Sequence, residues 1–179
     1  MKTEPEFQKK IITSLSEIAS EKIITKGEFL IKEGEVERNL YRVEKGAIRV
    51  FYLSEFEEQT IRLGYEGSFI TSLSSFIKGT PSEFYIDAIR KTTLKVIPKE
   101  NLLNLVNLNA ENMRQYIQLL EDLITQQIER EVDLLIASPI ERLNRVLSRS
   151  PNLFQQIPLK YIASYLRMKP ETLSRIRNS

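Results

Sequence analysis

The residues best placed to do chemistry lie in MKPETLSRIRNS, from Met168 to Ser179. Helical spacing puts Leu173 and Ile176 on one side of this segment, with Glu171, Thr172, Ser174 and Arg175 on the other. An arginine can donate twice to guanine O6 and N7, a glutamate can accept from cytosine N4, and hydroxyls can do either, so these four suit base reading in a major groove. Lys160, Lys169 and Arg177 are expected at phosphates, which set register without reading sequence. From Ile140 to Ser179 there are eight basic and two acidic residues, a charge of +6, while the rest of the chain is −4. A basic end beside an acidic body points to a polyanionic partner.

Other chemistries are poorly supplied. The 179 residues include no Cys and no His. That excludes disulfides, Cys/His zinc sites, cysteine-held iron–sulfur clusters and histidine-ligated haem. It also removes histidine general acid–base catalysis and the Ser-His-Asp triad. No Asp/Glu spacing suggests a metal site, so neither an enzyme nor a cofactor is expected. No apolar run approaches the roughly 18 residues of a membrane span. MKTEPEFQKK is charged with no apolar segment behind it, so a cytoplasmic location is expected.

These side chains need a scaffold, and the punctuation of the chain outlines one. All six glycines fall between Gly27 and Gly79. There ITKGEFLIKEGE, NLYRVEKGAIRVFYL, QTIRLGYEG and FYIDAIRKTTLKVI read as short strands of an antiparallel barrel or sandwich. Ile48, Val50 and Tyr52 should share one face, as should Leu94 and Val96. Phe7 to Glu21 reads as an amphipathic helix. Beyond Pro98 the pattern turns helical. Asn109 to Ile136 lacks Gly and Pro and carries the stripe Met113, Ile117, Leu120, Ile124, Ile128. At about 1.5 Å per residue it approaches 40 Å; it is either a core helix or a dimer helix, and the length favours the dimer. Gln127 and Glu131 interrupt the seam, which argues against a long coiled coil. Ser138-Pro139 ends this helix. A short helix follows, with Ile140, Leu143, Val146 and Leu147 as its apolar face. In IPLKYIASYLRMKPETLSRIR, Leu159, Ile162, Ala163 and Leu166 form a first helix, Arg167–Lys169 a turn, and Pro170 opens a second helix, where its missing N–H costs nothing. This is a helix-turn-helix pattern.

IPLKYIASYLRMKPETLSRIR resembles the C-terminal helix-turn-helix of the Crp–Fnr family of bacterial transcription regulators. KGEFLIKEGE, EKGAIRVFY and GYEGSF, with Gly27, Gly34, Gly46, Gly64 and Gly67, resemble turns of that family's cyclic-nucleotide-binding-type β-roll. The order of roll, long helix, break and helix-turn-helix carries the likeness over the whole chain. Four departures stand out. Nucleotide-binding members have a Gly-Glu pair and an Arg in their phosphate cassette, and the matching positions are Thr71, Ser72 and about Ser82. Without the Arg a cyclic phosphate loses a charge-assisted bond of about 1.5–3 kcal/mol, so cyclic AMP is not the expected effector. Arg167 replaces the usual Gly of the turn, and Pro170 stands where a base-reading Arg is common. No room is left for a complete β wing after the recognition helix, so a weaker grip on phosphates is expected.

The resemblance implies an α+β chain: a jelly-roll-like antiparallel β-roll sensor over residues 1–108, a long dimerisation helix over 109–137, and a small helix-turn-helix domain over 138–179. It implies a homodimer on double-stranded DNA carrying an inverted-repeat operator, and it admits RNA polymerase as a further partner. An effector pocket would be lined by Phe69, Ile70, Ser72, Leu73, Ser82, Glu83 and Phe84; the same side chains could instead simply fill the roll. The competing reading is a sensor or scaffold module that has lost sequence-specific DNA binding, supported by the missing wing and Arg167.

Overall fold

The computed structural model describes residues 13–55 and 57–178. Residues 13–18 are helical (α1), then β1 (Ser20–Ile24), β2 (Phe29–Ile31), β3 (Asn39–Lys45), β4 (Ala47–Leu53), β5 (Glu58–Tyr65) and β6 (Phe69–Ile70) follow. A short helix α2 (Leu73–Lys78) precedes β7 (Tyr85–Ala88) and β8 (Thr92–Pro98). The strands form two four-stranded antiparallel sheets, in the orders β1-β8-β3-β6 and β2-β7-β4-β5. Their inner faces enclose Ile24, Tyr41, Val43, Ile48, Val50, Ile70, Ile86 and Leu94. The chain is thus α+β, with an N-terminal β-roll, as its strand spacing predicts.

Turns of the roll depend on glycine most at Gly46, between β3 and β4. Its φ is 102°, and a Cβ there would lie 2.6 Å from the Lys91 carbonyl and 2.5 Å from Thr92 Oγ1. Two expectations at the roll need correction. The amphipathic helix expected over Phe7–Glu21 is helical at 13–18, but Ser20 and Glu21 already belong to β1, paired with Val96 and Lys95; residues 7–12 lie outside the described residues. Ile48 and Val50 are buried, but Tyr52 is exposed, because the β4–β5 hairpin runs on past the core.

Helices α3 (Lys99–Val106), α4 (Ala110–Leu135), α5 (Pro139–Arg149), α6 (Leu153–Gln156), α7 (Leu159–Tyr165) and α8 (Pro170–Asn178) complete the chain. Asn109 caps α4, its side chain accepting the Asn112 N–H at 2.8 Å. Ser138 and Pro139 start α5 as the break predicts. Leu119 and Leu123 of α4 join Leu15, Leu40, Phe76, Ile97, Leu102 and Val106 in a second core behind the first sheet. A third core holds Leu143, Val146, Leu153, Ile157, Ile162, Ala163, Leu166 and Leu173 together with Ala47 and Ile89 of the roll. Ile140, expected on the apolar face of α5, is instead exposed; at the second position of the helix it lies beyond the reach of that core.

Candidate nucleic-acid interface and sensor pocket

The two C-terminal helices form a helix-turn-helix because apolar residues at helical spacing meet across a tight turn. Ala163 is fully buried and small, which lets α7 and α8 approach beside Ile162, Leu166 and Leu173. The Met168 N–H donates to the Ala163 carbonyl at 3.0 Å and the Arg167 N–H to Ser164 at 3.2 Å. Arg167 takes φ of 54°, a left-handed conformation that costs a non-Gly residue about 1 kcal/mol. The expected turn thus forms without glycine. Pro170 opens α8, as its sequence position predicts.

Of the predicted base readers, Glu171 and Arg175 are exposed, one helical turn apart, while Thr172 and Ser174 are half-buried. Lys160, Lys169 and Arg177 are exposed. The Lys160 ammonium lies over the Tyr161 ring at 4.6 Å and the Arg177 guanidinium over Phe154 at 5.6 Å, so each exposed charge rests on an aromatic face of its own domain.

The predicted effector-pocket residues do not form one lining. Ile70 and Phe84 pack into the roll interior, whereas Phe69 and Leu73 pack toward the helices behind it. Glu83 is exposed. Ser72 and Ser82 do meet: both are buried, their hydroxyls lie 2.7 Å apart, and Ser82 also donates to the Phe84 carbonyl at 2.8 Å. The hydroxyls at the cassette positions therefore satisfy one another.

Several polar residues with no signal in the sequence organise the roll. Glu37 is 1% exposed; its Oε1 accepts the Asn39 N–H at 2.9 Å and the Tyr41 hydroxyl at 3.2 Å, while Oε2 has no partner. Burial pushes its carboxyl up to about 7, and raises the Tyr41 phenol as well. Glu37 borders a cleft of about 550 Å³ with Arg38, Gly79, Lys99 and Leu103. Arg62 of β5 lies in register with Val50, so it shares the inward face, and it donates to Gln126 of α4 at 2.7 Å. Burial lowers its guanidinium pKa.

The helix-turn-helix is tied to both other parts. Asp133, at the C-terminal end of α4, is buried and holds Arg145 at 2.8 Å and Arg149 of α5. Arg130 of α4 is 5% exposed; its Nη2 donates to the Thr60 carbonyl at 3.0 Å and the Tyr165 carbonyl at 3.4 Å, with its guanidinium 4.9 Å from the Tyr165 ring. Arg49 of β4 pairs with Asp87 at 2.8 Å and Glu58 at 2.7 Å, between the rings of Phe51 and Tyr161.

A β-roll is joined by a 26-residue helix to a helix-turn-helix. Residues 21–109 match the family model of the cyclic nucleotide-binding domain. FixK2 from Bradyrhizobium japonicum is similar at a TM-score of 0.74 and 19% identity, over 90% of this chain and 83% of that one. A variant of CooA from Carboxydothermus hydrogenoformans gives 0.71 and 18%, over 92% and 77%. A CRP-family transcriptional regulator from Thermus thermophilus gives 0.65 and 18%, over 88% and 82%. No curated protein matches the sequence. The roll is thus similar to the cyclic nucleotide-binding domain, and the chain as a whole has the fold of Crp–Fnr transcription regulators.

Proposed function

We propose that the chain is a homodimeric, DNA-binding transcription regulator whose effector is not cyclic AMP. The observation that carries this reading is the exposed Glu171/Arg175 pair on α8, flanked by Lys160, Lys169 and Arg177. A carboxylate and a guanidinium one turn apart present an acceptor for cytosine and a fork for guanine, and the cations serve the phosphates on either side. CRP-family members share the fold, which supports the assignment. The homodimer is supported by Met113, Ile117, Ile124 and Ile128, which are 39–54% exposed along α4; a row of large apolar side chains on a long helix calls for a matching surface. Cyclic AMP is disfavoured because Ser72 and Ser82 bond to each other where a cyclic phosphate would need a cation.

Random-site selection with the purified chain tests the reading. It should return an inverted repeat with half-sites about 34–36 Å apart. Arg175→Ala should weaken binding by about 1–3 kcal/mol and relax one base position. Uniform weak binding, unaffected by Arg175→Ala or Glu171→Ala, would leave a sensor or scaffold module instead.

A further inference from the structure

We propose that the edge strand of the roll, β5, holds the helix-turn-helix in an autoinhibited dock from which it must be released to grip DNA fully. This rests on reading α7 and α8 as the DNA-binding unit.

β5 is the outer strand of its sheet, so half of its backbone groups have no strand to pair with, which makes such an edge a docking template. Here the helix-turn-helix covers it. The Thr60 N–H donates to Ser164 Oγ at 3.0 Å, and the Ser164 hydroxyl donates to the Glu58 carbonyl at 3.2 Å. Arg130 caps the Thr60 carbonyl and, through the same nitrogen, the carbonyl end of α7 at Tyr165. Three parts of the chain meet at this one guanidinium. Arg167, the residue that takes a left-handed turn conformation where glycine is easiest, reaches across to bond Gln59. The strained position is thus occupied by a side chain that contributes to the dock.

The sign of the effect follows from charge. In a helix-turn-helix the first helix crosses the phosphate backbone. The face of α7 that carries Lys160 and Ser164, with Arg167 and Lys169 in the turn beyond it, forms one wall of a cleft of about 540 Å³. Glu57, Glu58 and Gln59 of the roll form the other wall. Phosphates approaching Lys160 and Lys169 would meet the Glu57 carboxylate, with Glu58, already paired with Arg49, beside it, and like charges brought together oppose association. Docking and full phosphate contact therefore compete for one surface. A signal in the roll that loosened β5 would free the reading head of its own subunit, without any change in the dimer seam.

The chain has no native cysteine, so spin labels at Lys91→Cys on the roll and Ser148→Cys on α5 report the dock cleanly. Labelled chain is diluted in unlabelled chain to isolate distances within one subunit. Ser164→Ala and Arg130→Met should each broaden the label distance. Ser164→Ala and Glu57→Gln, the latter acting through charge alone, should each raise effector-free affinity for the selected operator at least fivefold. Adding operator to the wild type should broaden the distance too. An unchanged distance in both loosening variants would overturn the dock. A broadened distance with unchanged or weaker operator affinity would overturn the autoinhibition. If neither wild type nor variants select any DNA, the regulator reading itself fails.

Discussion

Glu37 shows how a single buried acid can set the pH response of a chain without histidine. Its carboxyl is enclosed with one oxygen unpartnered, and burial outweighs the bonds from Asn39 and Tyr41, raising its pKa to about 7 from 4.5. The folded state therefore binds this proton more tightly than the unfolded state does. The resulting stabilisation is fully present below about pH 4.5 and is lost as pH rises through 7. Comparing chemical denaturation at pH 5 and pH 8, Glu37→Gln should remove about 1–3 kcal/mol of the wild-type loss on raising the pH. An unchanged pH difference would mean that Glu37 ionises normally. This residue was not legible in the sequence: in GEVERNL it is one of several charged residues, and only the folding of α2 over β3 encloses it. Arg49, Arg62 and Arg130 escaped notice for the same reason, since their partners lie 38 to 70 positions away. Glu171 and Arg175 were legible because the helix that displays them is local.

At the scale of elements, the turns carry the roll, and not all glycines are equal within them. Gly34 has φ of 86° but open space around its Cβ direction. Gly34→Ala should thus lose only the backbone term, about 1–2 kcal/mol. Gly46→Ala adds a collision with the backbone of Lys91 and Thr92, and backbone cannot swing aside as a side chain can. It should lose about 2–5 kcal/mol, the backbone term plus an overpacking term. Urea titrations of both variants check the difference, and equal losses would show that the β3–β4 turn relaxes. The glycine spacing was enough to outline the roll, and Ser138-Pro139 was enough to place the break before α5. Short α2 and α6, six and four residues long, gave no periodicity to read. Their existence depends on the cores they cover. The end of the first helix was misplaced because Ser20 and Glu21 have no strand signature of their own; pairing with β8 makes them strand.

The whole molecule turns on α4, which has two apolar faces with different obligations. Leu119 and Leu123 are buried in the chain's own core with Leu40, Ile97 and Leu102. Met113, Ile117, Ile124 and Ile128, the stripe that helical spacing predicts, lie on another face, which this chain leaves open, with Leu120 half-buried among them. A helix about 40 Å long with an open apolar row exposes more hydrocarbon than a monomer comfortably keeps in water. Each of these half-exposed side chains forgoes roughly 0.7–1.5 kcal/mol, about half the value of complete burial. The two faces can be separated by mutation. The double variant Ile117→Glu, Ile124→Glu should sediment as a monomer and keep its far-ultraviolet circular dichroism, because neither residue belongs to the chain's own core. It should also lose operator binding, since one reading head cannot span two half-sites. Leu123→Ala should do the reverse: remain dimeric, and lose about 2–5 kcal/mol of stability through the cavity it leaves. A double variant that sediments like the wild type would show that the copies meet elsewhere. The reach of the dimer would then have to be set by another surface, and α4 would act only as the strut that joins Arg130 and Asp133 to the roll and the reading head.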